Sequence, residues 1–162
     1  MRVYSMRAEI INNQEKNQDQ DMDNQLLEVV GMQCEGFKPL IFFNSWRVAT
    51  LRYMDSLFPP AIDRFERHLE TDEVFLLLDG QAILLIVTDE NQLPKPVWME
   101  PQKIYNVRQY CWHGIIMSRD ANILLVENGD TGESNSEFFS LNSRQKTCIL
   151  ETARSMPEWA EI

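Results

Sequence analysis

The sequence predicts an all-β domain that folds as a double-stranded β-helix, or jelly-roll barrel, with a short helical tail at its C-terminal end. From residue 38 onward, short apolar runs are separated by turn residues, which is the pattern of consecutive strands. The runs 74–78 and 82–87 are apolar at successive positions, as expected for strands buried on both faces. Only residues 143–159 have helical character.

Turn residues set the limits of the predicted strands. Pro59 and Pro60 interrupt the chain because neither can donate to a strand ladder. Asp79-Gly80 is typical of a tight turn and predicts that the strands on either side of it pair as a hairpin. Residues 128–136 are predicted to form a polar loop. The predicted strands cover residues 40–43, 48–53, 62–69, 73–78, 81–88, 97–99, 104–107, 115–117 and 123–127.

The chain is expected to form one domain, because 162 residues with 44% apolar residues can build a single core. We divide it into an N-terminal arm (1–37), the barrel (38–142) and the helical tail (143–162). Within the arm, residues 12–25 are almost entirely Asn, Gln, Asp, Glu and Lys, and such a segment is expected to be a solvated loop. Residues 26–30 predict either a first strand or a short helix.

Charge and cysteine content exclude several classes of protein. The net charge of −10 leaves no basic patch for a phosphate backbone or an anionic membrane, so we expect no nucleic-acid or membrane partner. The cysteines, Cys34, Cys111 and Cys148, are odd in number and lack CxxC spacing, which argues against a disulfide framework and a zinc ribbon. With no apolar signal segment at the N-terminus, we expect a cytoplasmic protein with reduced thiols.

The strands that are apolar on both faces also bear on the number of subunits. One face can line the barrel interior while the other packs against a second sheet or a second subunit. A homodimer formed through the outer face is the expectation, and a larger single-domain core would produce the same pattern.

The two histidines of the chain, His68 and His113, are the strongest indication of chemistry. Residues two apart in a strand share a face, so Arg64, Glu66 and His68 are expected to line the interior together. Glu73 opens the next strand and is expected close to His68, whereas His113 is expected on the opposite wall. The predicted metal ligands are His68, Glu73 and His113, with Glu66 available as a fourth.

Imidazole and carboxylate ligands suit one divalent transition metal, such as Zn, Mn, Fe, Ni or Cu. Such an ion would polarise a carbonyl or acidify a bound water or hydroxyl group. We expect no nucleotide cofactor.

The spacing Glu66-x-His68-x4-Glu73-x6-Gly80 resembles the first motif of the cupin family. That motif has two histidines one residue apart, then a glutamate, then a glycine, and here Glu66 stands in place of the first histidine. His113 resembles the histidine of the second cupin motif, although the usual glycine and proline before it are absent. The resemblance implies a jelly-roll barrel with a metal site inside.

Within the cupins, the chain is most similar to the ureidoglycolate lyase family, over residues 48–138. The resemblance rests on three short segments: Phe65-Glu66-Arg67-His68, Trp112-His113 and Asn128-Gly129-Asp130. It implies a carbon–nitrogen lyase that eliminates urea from ureidoglycolate to leave glyoxylate, a step of allantoin and purine catabolism.

That reaction needs a base for the substrate hydroxyl, a proton donor for the leaving nitrogen and a cation for the carboxylate. His68 or His113 could act as acid or base, and Glu66 could orient an imidazole. The candidates for substrate binding are Arg64 or Arg108, for the carboxylate, and Tyr110, for the pocket wall.

One departure from the lyase pattern keeps other functions open. This chain has Asp72-Glu73 where the lyases tend to carry a glutamine, and Glu73 restores the ordinary cupin ligand. A metal-dependent cupin with another small substrate, such as a sugar isomerase or an oxygenase, is the first alternative. A non-catalytic cupin that binds a small ligand is the second.

Overall fold

The computed structural model describes residues 26–32 and 35–162. The chain divides into two compact units, residues 1–31 and residues 32–162, of which the second contains all the elements below. Leu26 is helical and residues 27–32 form neither helix nor strand, so the first element predicted over residues 26–30 is not found beyond Leu26. The predicted polar loop 12–25 lies outside the described residues.

Residues 35–162 contain ten strands and one α-helix, together with three short 3₁₀ helices, Asp55–Leu57, Pro59–Ala61 and Pro157–Trp159. The strands are β1 (Phe37–Phe43), β2 (Trp46–Arg52), β3 (Arg64–His68), β4 (Glu73–Asp79), β5 (Ala82–Val87), β6 (Lys95–Trp98), β7 (Ile104–Val107), β8 (Trp112–Met117), β9 (Asn122–Asn128) and β10 (Ser136–Ser140). The helix is α1 (Ser143–Ala153).

The strands form two five-stranded antiparallel sheets. Sheet I has the order β1-β2-β9-β4-β7, and sheet II has the order β10-β3-β8-β5-β6. Alternate side chains of the two sheets meet in a first core, which includes Phe75, Leu77, Leu84, Ile123 and Leu125. The predicted all-β barrel with a short C-terminal helix is confirmed.

A second core lies on the outer face of sheet II. Ile83, Leu85 and Ile116 point away from the first core and pack with Ile149 of α1 and with Trp159. This packing explains why β5 is apolar at successive positions: one face meets sheet I, and the other meets the helix. Of the two explanations for strands that are apolar on both faces, a second subunit or a larger single-domain core, the larger core is the one found on sheet II.

The start of α1 is fixed by a capping box. The Asn142 side chain accepts from the backbone N–H of Gln145 (3.1 Å), and the Gln145 side chain accepts from the backbone N–H of Asn142 (3.0 Å). The Gln145 amide also donates to the carbonyls of Glu90 and Gln92. The helix is thereby tied to the loop between β5 and β6.

The hairpin predicted at Asp79-Gly80 is wrong, although the turn itself is present. Gly80 has φ of 75°, and a Cβ there would lie 2.5 Å from the Cα of Ala121, so glycine is required. However, β4 pairs with β7 and β9 in sheet I, whereas β5 pairs with β6 and β8 in sheet II. The turn carries the chain from one sheet to the other.

Strand β10 was not predicted, because its few residues follow a polar, glycine-containing loop and end in serine. It pairs with β3 along its whole length, with Ser136 opposite His68 and Phe138 opposite Glu66. This pairing places Ser136 beside the candidate site. Among the described helices, none is both long enough and apolar enough to cross a membrane.

Candidate functional site

A cavity of about 740 Å³ lies between the two sheets. Its walls combine apolar side chains, such as Leu125 and Phe75, with a group of ionisable side chains from both sheets. The ionisable residues that line it include Arg47, Arg64, Glu66, His68, Glu73, His113 and Glu127.

Three buried side chains meet at the Glu73 carboxylate. Its Oε2 lies 3.1 Å from Nε2 of His68 and 3.0 Å from Nε2 of His113. The two imidazole rings are 5.3 Å apart in an edge-to-face arrangement. All three residues are at least nine-tenths buried. The structure therefore brings the three predicted metal ligands together in one cluster.

The structure differs from the prediction in the sheet to which each residue of the cluster belongs. His68 on β3 and His113 on β8 belong to neighbouring strands of sheet II, and Glu66 is the register partner of His113. Glu73 comes from sheet I. The expectation that His113 lies on the wall opposite His68 is wrong, because β8 pairs directly with β3 although the chain visits sheet I between them.

The outer nitrogens of the imidazoles are held by the protein. His113 Nδ1 donates to the carbonyl of Cys111 (3.0 Å), and His68 Nδ1 lies 2.8 Å from the Ser136 hydroxyl. A carbonyl oxygen only accepts, so Nδ1 of His113 carries a proton. In the neutral ring, Nε2 of His113 is then a bare lone pair directed at the Glu73 carboxylate. This is the tautomer that binds a metal ion.

The protein surroundings keep Glu73 ionised. Burial alone would raise its pKa, but hydrogen bonds from His113 and His68 lower the pKa of Glu73 to about 2. Burial would likewise lower the pKa of His113, but the hydrogen bond and the charge of Glu73 raise it above its ordinary value. Each partner stabilises the charged form of the other.

The donor set fits a divalent transition metal. Ligand atoms of Glu66, His68 and His113 lie within 4.8 Å of one another, as do those of His68, Glu73 and Glu127. Two neutral imidazoles with carboxylate oxygens are suitable ligands for such an ion.

Two further predicted residues line the cavity. Glu66 is half-buried, and Arg64 is exposed, with its guanidinium 4.5 Å from the centre of the Phe138 ring. Arg64, Glu66 and His68 all line the cavity, in keeping with strand alternation.

Arg108 and Tyr110 are not brought to the cavity and do not line it. The Arg108 side chain is 78% exposed and pairs with Asp72 at 2.9 Å, and Tyr110 is exposed in a left-handed turn conformation. Asp72 also accepts from the backbone N–H of Gln109. These contacts hold the β7–β8 turn on the outside, so neither residue is placed to bind a substrate in the cavity.

Sequence reasoning missed Arg47 and Glu127, which form a buried ion pair in the cavity wall. Oε1 of Glu127 accepts from Nε (3.1 Å) and Nη2 (2.9 Å) of Arg47. Glu127 closes an otherwise apolar run, and a carboxylate at the end of a buried strand is the signal that could have identified it.

Two facing antiparallel five-stranded sheets and a short C-terminal helix make this an all-β barrel, with a histidine–glutamate cluster in its interior. No family model matches the chain, and no curated protein matches it. Solved structures of cupin-fold proteins do.

The chain is similar to Streptomyces PAC13 with uridine, with 8% identity and a TM-score of 0.47, over 70% of this chain and 87% of that one. PAC13 is a nucleoside dehydratase. A cupin-2 domain protein from Shewanella frigidimarina has 13% identity and a TM-score of 0.45, over 67% and 90% of the two chains. KdgF from a Halomonas species has 9% identity and a TM-score of 0.44, over 60% and 81%.

Proposed function

We propose that this chain is a metal-dependent enzyme that acts on a small hydroxy acid, with ureidoglycolate as the first substrate to test. The observation that carries the proposal is the hydrogen bond from His113 Nδ1 to the Cys111 carbonyl. Because Nδ1 is occupied by that carbonyl, Nε2 is the nitrogen that faces the Glu73 carboxylate oxygen at 3.0 Å, and a metal ion can replace the proton between these two atoms.

The size of the cavity supports a small-molecule ligand. A volume of about 740 Å³ is within the range of sites that enclose a compact organic molecule. Its polar side chains converge from both sheets, while its apolar wall includes Phe75 and Leu125. This combination favours a polar substrate of few atoms over a polymer.

In this proposal His68, Glu73 and His113 hold the metal ion. When bound, the ion would polarise a carbonyl or lower the pKa of a hydroxyl group. The hydrogen bonds at the outer nitrogens orient both imidazoles, so the ligand geometry is set before any ion arrives.

Glu66 and Arg64 are left for the substrate. Arg64, which lies against the Phe138 ring, can pair with the carboxylate of a hydroxy acid. Glu66 can accept the proton of the substrate hydroxyl as the carbon–nitrogen bond breaks, and then return it to the leaving nitrogen. For ureidoglycolate the products are glyoxylate and urea, and the atoms balance without a further reactant.

Elemental analysis of protein purified without chelator tests the proposal. We expect about one equivalent of a transition metal in the wild type and in Arg108→Ala, which is altered outside the cavity, and little in His68→Ala. We also expect chelation to abolish release of glyoxylate from ureidoglycolate, and one ion to restore it. Full activity in the chelated protein would contradict the metal dependence, and metal-replete protein without turnover would contradict this substrate.

A metal-independent lyase is the second candidate, favoured by the same contact. If His113 is doubly protonated, its Nε2 donates to Glu73, and both contacts of that carboxylate become hydrogen bonds. The site would then work by acid–base chemistry alone, and activity would survive chelation. Affinity for ureidoglycolate without turnover would instead indicate a binding protein.

A further inference from the structure

Glu127 Oε2 is a buried polar atom without a hydrogen-bond partner among the described residues. The side chain is 2% exposed and lies in the cavity wall. An unsatisfied buried donor or acceptor costs about 1–3 kcal/mol, and more when the group is charged. A buried oxygen without a hydrogen-bond donor indicates that a group outside the protein chain, such as an ion, binds to it.

The other oxygen of Glu127 is fully occupied. Oε1 accepts twice from Arg47, whose guanidinium also donates to the carbonyl of Thr131 (2.9 Å) and lies 5.0 Å from the centre of the Phe37 ring. Arg47 therefore fixes the carboxylate through one oxygen and leaves the second oxygen free.

The Glu127 carboxylate is also close to a second buried carboxylate. One of its oxygens and ligand atoms of His68 and Glu73 all lie within 4.8 Å of one another. Two carboxylates that repel each other inside a protein are stabilised by a cation placed between them.

We propose that Glu127 supplies a further oxygen ligand to the metal ion held by His68 and Glu73, and that Glu66 does not. The inference rests on the metal site of the proposed function. Glu66 is only half-buried and can be solvated, whereas Glu127 is enclosed and keeps an unpaired oxygen. The two carboxylates thus divide the work: Glu127 binds the ion, and Glu66 stays free to move a proton.

Cobalt binding to the full chain tests this division, because Co²⁺ reports both affinity and coordination through its visible spectrum. We expect Glu127→Gln to weaken Co²⁺ binding by ~10-fold or more and to change the absorption bands. We expect Glu66→Gln, the matched control, to change the affinity by less than about 3-fold. A larger effect of Glu66→Gln, or an unchanged spectrum in Glu127→Gln, would overturn the proposal.

Two controls keep the test decisive. Circular dichroism and the Tm show whether Glu127→Gln folds; if it does not, Glu127→Asp keeps the charge beside Arg47 but withdraws the oxygen, and the same loss of Co²⁺ affinity is expected. Wild-type protein that binds no Co²⁺ at all would overturn the metal site and this inference together. Wild-type binding that Glu127→Gln leaves intact would overturn this inference alone.

Discussion

Cys111 contributes its backbone to the site and not its thiol. Burial raises the pKa of the Cys111 thiol, which makes it a poor nucleophile, and the Sγ atom lies 3.7 Å from the carbonyl of Trp112. The carbonyl of Cys111, by contrast, selects the tautomer of the neutral His113 ring, with the proton on Nδ1. A backbone group thereby decides what the imidazole can bind.

The ionised state of Glu73 gives the metal-free protein a pH dependence. The pKa of this carboxyl falls from 4.5 to about 2 on folding, so its contribution to stability is present above pH 4.5 and is lost as the pH falls toward 2. With chelator present, the Tm of the wild type should therefore fall more steeply over this range than that of Glu73→Gln. Parallel Tm profiles would contradict this assignment.

Ser136 should act on the metal site through His68. Its hydroxyl lies 2.8 Å from Nδ1 of that ring, so Ser136→Ala removes the group that orients the imidazole. We expect a ~10-fold or greater loss of Co²⁺ affinity, measured by titration calorimetry, with little change in Tm. Ser140→Ala, an exposed position on the same strand, is the control and should bind as the wild type does.

The sequence predicted residues of the site where spacing carries the information. His68 and Glu73 stand on consecutive strands, and their proximity follows from chain continuity. Glu127 could not be placed in this way, because its partner Arg47 is 80 residues away and only the β2–β9 register brings them together. Arg108 was misplaced because a turn can direct a side chain outward without any local signal.

At the scale of elements, the contact between β3 and β8 depends on a residue without a side chain. A Cβ on Gly114 would lie 2.5 Å from the ring of Phe65, which is buried in the second core. Gly114→Ala should cost about 1–3 kcal/mol of the free energy of unfolding, measured by urea denaturation. Gly132→Ala, where the nearest atom is 3.9 Å away, should cost much less.

Strand existence was easier to predict than strand pairing. The run 104–107 was predicted with the limits of β7, because apolar residues and turn signals are local. The partners of β4 and β5 were not, since both strands are apolar on both faces and many registers bury them equally well. Gly80 identifies a turn, but it does not specify whether the turn stays within one sheet.

At the scale of the whole molecule, the two cores should be separable. Ile149 is 1% exposed in the core beneath α1, on the side of sheet II away from the cavity. Ile149→Ala should lower the free energy of unfolding by about 2–5 kcal/mol while leaving Co²⁺ affinity within a few fold. The exposed Lys146→Ala is the control for helix propensity. Loss of Co²⁺ binding in folded Ile149→Ala would show that the cores are coupled.

The position of Glu73 has a mechanical consequence. It is the link from sheet I to two histidines that both belong to sheet II, so a cation at this cluster would clasp the two walls of the barrel to each other. Occupancy would then resist separation of the walls, by a free energy that grows with the logarithm of the free metal concentration. Hydrogen exchange of the backbone amides would then slow in β4 and β8 together, because the ion would link these two strands.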